Sequence, residues 1–240
     1  HKDYFVADSD DHALVEFDLQ NADQRAVGAM SGDRKYLKRF EPGQDGHLIN
    51  AWAAWGKDVV GTDRKNPVTA AYRQRAKAPG HGWSYRIGAK KCAKTTGLSL
   101  EEARAFLGAL NREYSGVVAW QDRCSTRAGR DRFITNDWGR RMPVTPARAY
   151  TQGPALMGQS TTNEILADGL ISLPIRLLRM IKLTIHDAIV ASIPRATLER
   201  DRDLIARCLT QTWKPRYGGV QIEFPVTYGE PARNWKEAGH

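Results

Sequence analysis

Two carboxylates set inside apolar runs are the first residues able to do chemistry. Asp18 lies in LVEFDL, where Val15, Phe17 and Leu19 alternate with Leu14, Glu16 and Asp18. Alternation of period two reads as a strand, with Asp18 near its end on the face opposite the apolar row. Asp187 lies in LTIHDAIV, two short apolar runs around a polar dipeptide, which reads as the bend of a hairpin. The two residues are 169 positions apart and meet if strand and hairpin are neighbours in one sheet. Between them, Arg73 and Lys77 are four positions apart in a basic helical stretch and so share a face. Paired carboxylates with cations fit two-metal catalysis, in which divalent ions roughly 3.5 to 4 Å apart activate an attacking oxygen and neutralise a leaving one.

Charge and composition bound that reading. The 240 residues are +9 overall, yet 1–56 are net −4, 57–104 net +7 and 105–240 net +6. An acidic stretch ahead of a basic one suits carboxylates that hold metal and a cationic surface that holds phosphates. Two ordinary solvated faces would give the same counts, so the pattern alone leaves both open. With 41% hydrophobic and 26% charged residues the chain can bury a core for one large or two small domains, which excludes disorder and collagen. No apolar run approaches the ~18 residues of a membrane span, and the N-terminus lacks the pattern of a signal peptide. A soluble, intracellular protein with no membrane partner is expected. Cys92, Cys124 and Cys208 are too widely spaced for a zinc site and read as buried or idle thiols. The first residue is His1 rather than Met, which reads as a processed chain or a piece of a longer one.

The elements that must position these groups follow from pattern. Helical spacing begins at about Ala22, just after the acidic strand. Residues 66–85 read as a basic helix, with a kink or break expected at Pro79, Gly80 and Gly82. Ser99 and Glu102 form a capping box, and further helices are expected around 117–124 and 157–173. Residues 196–213 read as one amphipathic helix with Leu198, Ile205, Leu209 and Trp213 inward, and 220–228 as a single last strand. The order strand, helices, strands predicts an α+β fold with an inserted helical lobe.

Six blocks, in order, resemble the signature blocks of family A DNA polymerases, the class of bacterial DNA polymerase I and many phage replicases. They are FDLQNADQRAVGAMSGD (17–33), QDGHLINAWAAWG (44–56), RQRAKAPGHGWSY (73–85), WGRRMPV (138–144), GQSTTNEILADGLI (158–171) and TIHDAIV (184–190). The HGW variation in the third looks phage-like. The resemblance implies an antiparallel palm sheet with an inserted, mostly helical fingers subdomain: 1–40 as palm with the first catalytic block, 41–150 as fingers with the nucleotide-binding helix, and 151–240 as palm with the second catalytic block and last strand. It implies template-directed DNA synthesis, with nucleotidyl transfer from deoxynucleoside triphosphates to a primer 3′-hydroxyl and release of pyrophosphate. The implied partners are primer-template DNA and deoxynucleoside triphosphates, and the implied location is the cytoplasm, that of the host for a phage-encoded enzyme.

Residue by residue, the resemblance makes Asp18 and Asp187 the ligands of two Mg²⁺ ions. Arg73 and Lys77 become the triphosphate-binding pair, with Lys77 also protonating the departing pyrophosphate, and His47 reaches the same triphosphate. Tyr85 closes the fingers helix beside the nascent base pair, and His81 stands where the family usually has Phe or Tyr. Asp23 occupies the position of a Glu that packs against the incoming sugar and excludes a 2′-hydroxyl. Arg25, Arg140 and Gln159 order the site or touch the primer-template DNA.

The sequence also departs from the family. Ala188 replaces the Glu that usually follows the third block's Asp, and Asp23 is one methylene shorter than Glu, which implies looser exclusion of ribonucleotides. A thumb, an early palm segment and an exonuclease are absent from these residues, so a longer polypeptide or a second chain is expected to supply the thumb. Two other readings compete. A single-subunit RNA polymerase relative shares the two-Asp palm and the Lys-to-Tyr helix, and the Asp23 carboxylate argues against it. A catalytically idle nucleic-acid-binding subunit is opposed by the intact Asp18, Asp187, Arg73 and Lys77.

Overall fold

Ala13, Leu14 and Val15 are buried in succession, after which Phe17 and Leu19 stay buried while Glu16 and Asp18 are half-buried. The strand therefore starts covered on both faces and ends with one face open enough for carboxylates. The computed structural model describes residues 2–239. In chain order these run through β1 (His12–Leu19), α1 (Ala22–Ser31), α2 (Arg34–Leu37), α3 (Gly46–Trp55), α4 (Lys57–Val60), α5 (Pro67–Ser84), α6 (Ala89–Thr96), α7 (Leu100–Glu113) and α8 (Ser115–Asp131). There follow β2 (Phe133–Thr135), β3 (Arg141–Pro143), α9 (Ala149–Ile171), α10 (Ile175–Leu178), β4 (Ile181–Ile185), β5 (Ala188–Pro194), α11 (Leu198–Leu209), β6 (Gln211–Trp213), β7 (Ile222–Phe224), β8 (Val226–Tyr228) and α12 (Trp235–Ala238). The chain divides into two compact units, one made of residues up to 23, 160–214 and from 221 onward, the other of 24–159 and 215–220.

The first unit is built on a sheet in the order β4-β5-β1-β8. All of its pairings are antiparallel, with Phe17 opposite Ile189 and Asp18 opposite Ala188. Strand β5 is buried from Ala188 to Ile193, as expected of a central strand covered on both faces. On one face Leu14 and Val190 pack with Ala7 and Ala238, and Trp235 covers them. Helix α11 packs on β5, β8 and β1, with Ile205 and Leu209 buried along it.

Two expectations fail in this unit. The single last strand is two: β7 pairs with β6, and β8 pairs with β1. Pro225 divides them, because proline has no N–H to donate to a ladder. Its carbonyl instead accepts from Gln20 N at 2.9 Å. The helix expected over 196–213 ends at Leu209, and Trp213 lies on β6 opposite Ile222, with its ring 6.5 Å from Phe224. Aromatic and β-branched residues pack better on a pleated pair than on another helical turn.

The second unit is mostly helical around Tyr36, Leu48, Trp83, Phe106, Leu110 and Tyr114. Helix α5 starts where its sequence says, with Asn66 capping Val68 N and Pro67 in the first turn. Of the expected kink or break, the break does not occur: α5 continues through Pro79 and Gly80 to Ser84. Packing explains both residues, since Pro79 is buried and a methyl group on Gly80 would stand 2.4 Å from Asn50 Nδ2 of α3. The Ser99–Glu102 capping box is formed reciprocally at the head of α7. Hairpin β2–β3 turns on Asn136, whose Oδ1 accepts from Trp138 N at 3.1 Å and Arg140 N at 3.0 Å.

Candidate active site

In the first unit, sheet register gathers the carboxylates. Strands β4 and β5 are joined by His186 and Asp187 alone, with Ile185 paired to Ala188. So short a reversal requires left-handed backbone, which His186 adopts at φ 53°. Asp18 is the partner of Ala188, the residue after Asp187, and Leu19 N donates to Asp187 O at 3.1 Å. Asp18 and Asp187 are thus brought to the same end of the sheet. The other carboxylate on that row, Glu16, is engaged by Trp235 Nε1 and by Lys2 Nζ at 3.5 Å. Ala188, next to Asp187, is buried.

Among the described residues no three His, Cys, Asp or Glu side chains form a metal-binding group. Two carboxylates are still a donor set that fits magnesium, a hard ion that keeps several waters and takes its remaining oxygens from substrate phosphates. Asp23, in the first turn of α1, accepts from Thr162 Oγ1 at 3.1 Å. Thr162 is buried, and nothing local in the sequence marks it as a partner of Asp23.

In the second unit, the cationic residues gather around the head of α3. Asp45 caps that helix: its Oδ1 accepts from His47 N at 3.0 Å and Leu48 N at 3.1 Å. Its Oδ2 accepts from Arg73 Nε of α5 at 2.6 Å, with Arg64 Nη1 at 3.8 Å. Burial pushes the His47 imidazole below its ordinary pKa, Asp45 works the other way, and the charges of Arg73, Lys77 and Arg39 push it further down. His47 Nδ1 is buried without a hydrogen-bond partner. Lys77 is exposed, one helical turn beyond Arg73. Further along α5, the ring of His81 meets Tyr85 edge-on at 5.8 Å, and Tyr85 lies against Gly158, where a methyl group would come within 2.9 Å of its ring.

Gln159 is exposed on α9 next to Gly158. Arg25 stacks over the Phe40 ring at 4.7 Å, and Arg140 is exposed at the β2–β3 turn. The second unit therefore groups His47, Arg73 and Lys77, and separately His81 and Tyr85.

A family model, that of DNA polymerase family A, matches residues 1–237. The chain belongs to that family. Among its relatives, the DNA polymerase of Mycobacterium phage D29 is 32% identical over 220 residues, which cover 91% of this chain and 35% of that protein. The DNA polymerase of Mycobacterium phage L5 is 30% identical over 91% of this chain and 34% of its own length. DNA polymerase I of Streptococcus pneumoniae serotype 4 is 24% identical over 98% of this chain and 27% of its own length. The fold matches the polymerase domain of Pol1 from M. smegmatis, solved in complex with a DNA primer-template and dNTP, with a TM-score of 0.80 and 19% identity over 100% of this chain and 42% of that one. The family A fold thus accounts for the α+β architecture, an antiparallel palm sheet with an inserted helical subdomain, and membership implies use of divalent metal. The chain spans about a third of the length of the phage relatives. No helix among the described residues is long and apolar enough to cross a membrane.

Asp45 and Thr162 are the two residues that sequence reasoning missed. An acidic residue just before an apolar helical run is an N-cap signal, so Asp45 could have been found as a cap. Its bond to Arg73, 28 positions away, has no such signature.

Proposed function

We propose that this chain carries the polymerising centre of a DNA-directed DNA polymerase, which extends a primer 3′-hydroxyl on a DNA template with deoxynucleoside triphosphates and releases pyrophosphate. The observation that carries the reading is the β1–β5 register, which brings Asp18 and Asp187 to one end of the sheet in a chain of family A. Asp18 and Asp187 would hold two Mg²⁺ ions. Bound magnesium supplies Lewis-acid activation of the 3′-hydroxyl and charge neutralisation on the phosphates.

The remaining steps belong to the protein's own groups. Arg73 and Lys77 grip the triphosphate and offset charge as it shifts toward the leaving group. Lys77 gives its proton to the departing pyrophosphate. His47, kept neutral by burial, serves the triphosphate as a hydrogen-bonding group rather than as a cation. Asp23 packs against the sugar, His81 and Tyr85 flank the nascent pair, and Arg25, Arg140 and Gln159 contact DNA. Template bases choose the nucleotide, since phosphate contacts carry no sequence information. The protein works in the cytoplasm, that of the host if it is phage-encoded.

Magnesium-dependent primer extension by the intact protein tests this reading. Asp187→Asn should lower the rate by at least about a hundredfold, because a lost ligand costs more than a lost outer-shell contact. Unchanged extension would overturn the metal assignment, and a preference for ribonucleotides would favour the RNA polymerase alternative.

A further inference from the structure

The Asp45 carboxylate divides its two oxygens between two elements. Oδ1 accepts the backbone N–H groups of His47 and Leu48 at the head of α3, as an N-cap does. Oδ2 accepts Arg73 Nε on α5 at 2.6 Å, and Arg64 Nη1 stands 3.8 Å away. The side chain is nine-tenths buried, with 9% exposure. Burial works against its charge, but the hydrogen bonds from Arg73 and Leu48 N–H prevail and hold the carboxyl below its ordinary pKa. Guanidinium has five N–H donors in a rigid fork. Asp45 engages the Nε edge, and the Nη groups of Arg73 make no hydrogen bond among the described residues.

We propose that Asp45 is a positioning residue for nucleotide binding: it holds Arg73 by the Nε so that the Nη groups are presented, already oriented, to the triphosphate. The proposal rests on the reading of Arg73 given above. An unanchored arginine would lose its rotamer freedom when nucleotide binds, whereas here that freedom is already lost on folding. The same carboxylate fixes the backbone of His47, so two groups assigned to the phosphates share one anchor.

Asp45→Ser separates the two duties, since serine is a good N-cap but is too short to reach Arg73. In steady-state extension by the intact protein, it should raise the deoxynucleotide KM about three- to tenfold, the cost of ordering one long side chain on binding. The effect on kcat should be smaller, and the melting temperature should stay near wild type. Asp45→Asn, which keeps shape and cap but removes the charge, should raise KM to a lesser degree. In an Arg73→Ala background, Asp45→Ser should add nothing, because its effect passes through Arg73.

Two failures are distinguishable. If Arg73→Ala leaves KM unchanged, the assignment of Arg73 to the nucleotide falls. If Arg73→Ala raises KM but Asp45→Ser does not, or Asp45→Ser adds its full effect in the Arg73→Ala background, the positioning role alone is overturned.

Discussion

The Asp23 carboxylate is short and tied, and the role proposed for it against the incoming sugar depends on both. Thr162 Oγ1 donates to its Oδ1 at 3.1 Å, so the carboxylate is held by the palm unit rather than left to rotate. Hydrogen bonds to charged groups contribute roughly 1.5–3 kcal/mol, enough to fix a rotamer. Thr162→Val, which keeps shape and removes the donor, should therefore lower discrimination against ribonucleotides about fivefold. Asp23→Glu should raise it, since the longer side chain reaches further toward a 2′-hydroxyl. Competition between ribo- and deoxyribonucleotides in single-nucleotide insertion measures both, and equal discrimination in all three proteins would dismiss the role given to Asp23. His47 makes a pH prediction of definite sign. Burial, reinforced by Arg73, Lys77 and Arg39 against the opposing Asp45, keeps the imidazole neutral below its ordinary titration range. Nucleotide KM should not respond to His47 between pH 8 and the usual histidine value of about 6.5. At more acid pH, on the triphosphate role proposed for His47, protonation adds a positive charge there and tightens binding. That acid limb should vanish in His47→Asn.

At the scale of elements, α3 and α5 must approach closely for Asp45 to reach Arg73, and Gly80 is where they do. A Cβ there would stand 2.4 Å from Asn50 Nδ2. Asn50 has little room to yield, because its Oδ1 accepts from Arg39 Nη2 at 3.0 Å and Tyr114 Oη at 3.3 Å. Gly80→Ala should cost about 1–3 kcal/mol, the usual penalty of overpacking, read as a lower urea midpoint. It should also raise nucleotide KM as α3 and α5 separate, and a neutral outcome on both would show that the contact is soft. The same pair of helices marks the limit of reading from sequence. Strand β1, the His186–Asp187 bend and the Ser99–Glu102 capping box were legible because each is a local pattern with a local cause. Continuity of α5 through Pro79 was not, because what holds it is α3, a partner that periodicity does not name. Nor were the end of α11 at Leu209 and the split at Pro225, where strand pairing with β6 and β1 decides. In the candidate site, the residue types come from the blocks, but the bonds joining Asp45 to Arg73 and Thr162 to Asp23 are made only by folding.

For the molecule as a whole, what DNA would meet depends on where cations stand without a nearby carboxylate rather than on the net charge alone. Within the basic segment 57–104, net +7, three arginines are held by carboxylates: Arg73 by Asp45, Arg75 by Glu102 at 2.6 Å, and Arg86 by Asp122. The lysines of α6 are different. Lys90, Lys91 and Lys94 are exposed, and none has a carboxylate within salt-bridge distance among the described residues. They are among the cations of the basic segment still able to displace counterions from a phosphate backbone. Replacing all three with serine should weaken binding of primer-template DNA at every sequence alike. It should also make the plot of log affinity against log salt shallower by about two to three, near 0.9 for each lost phosphate contact. Nucleotide KM should stay at the wild-type value, because none of the three belongs to the His47–Arg73–Lys77 group. An unchanged salt slope would mean that the basic surplus of α6 is an ordinary solvated face and that DNA is held by other cations of the chain.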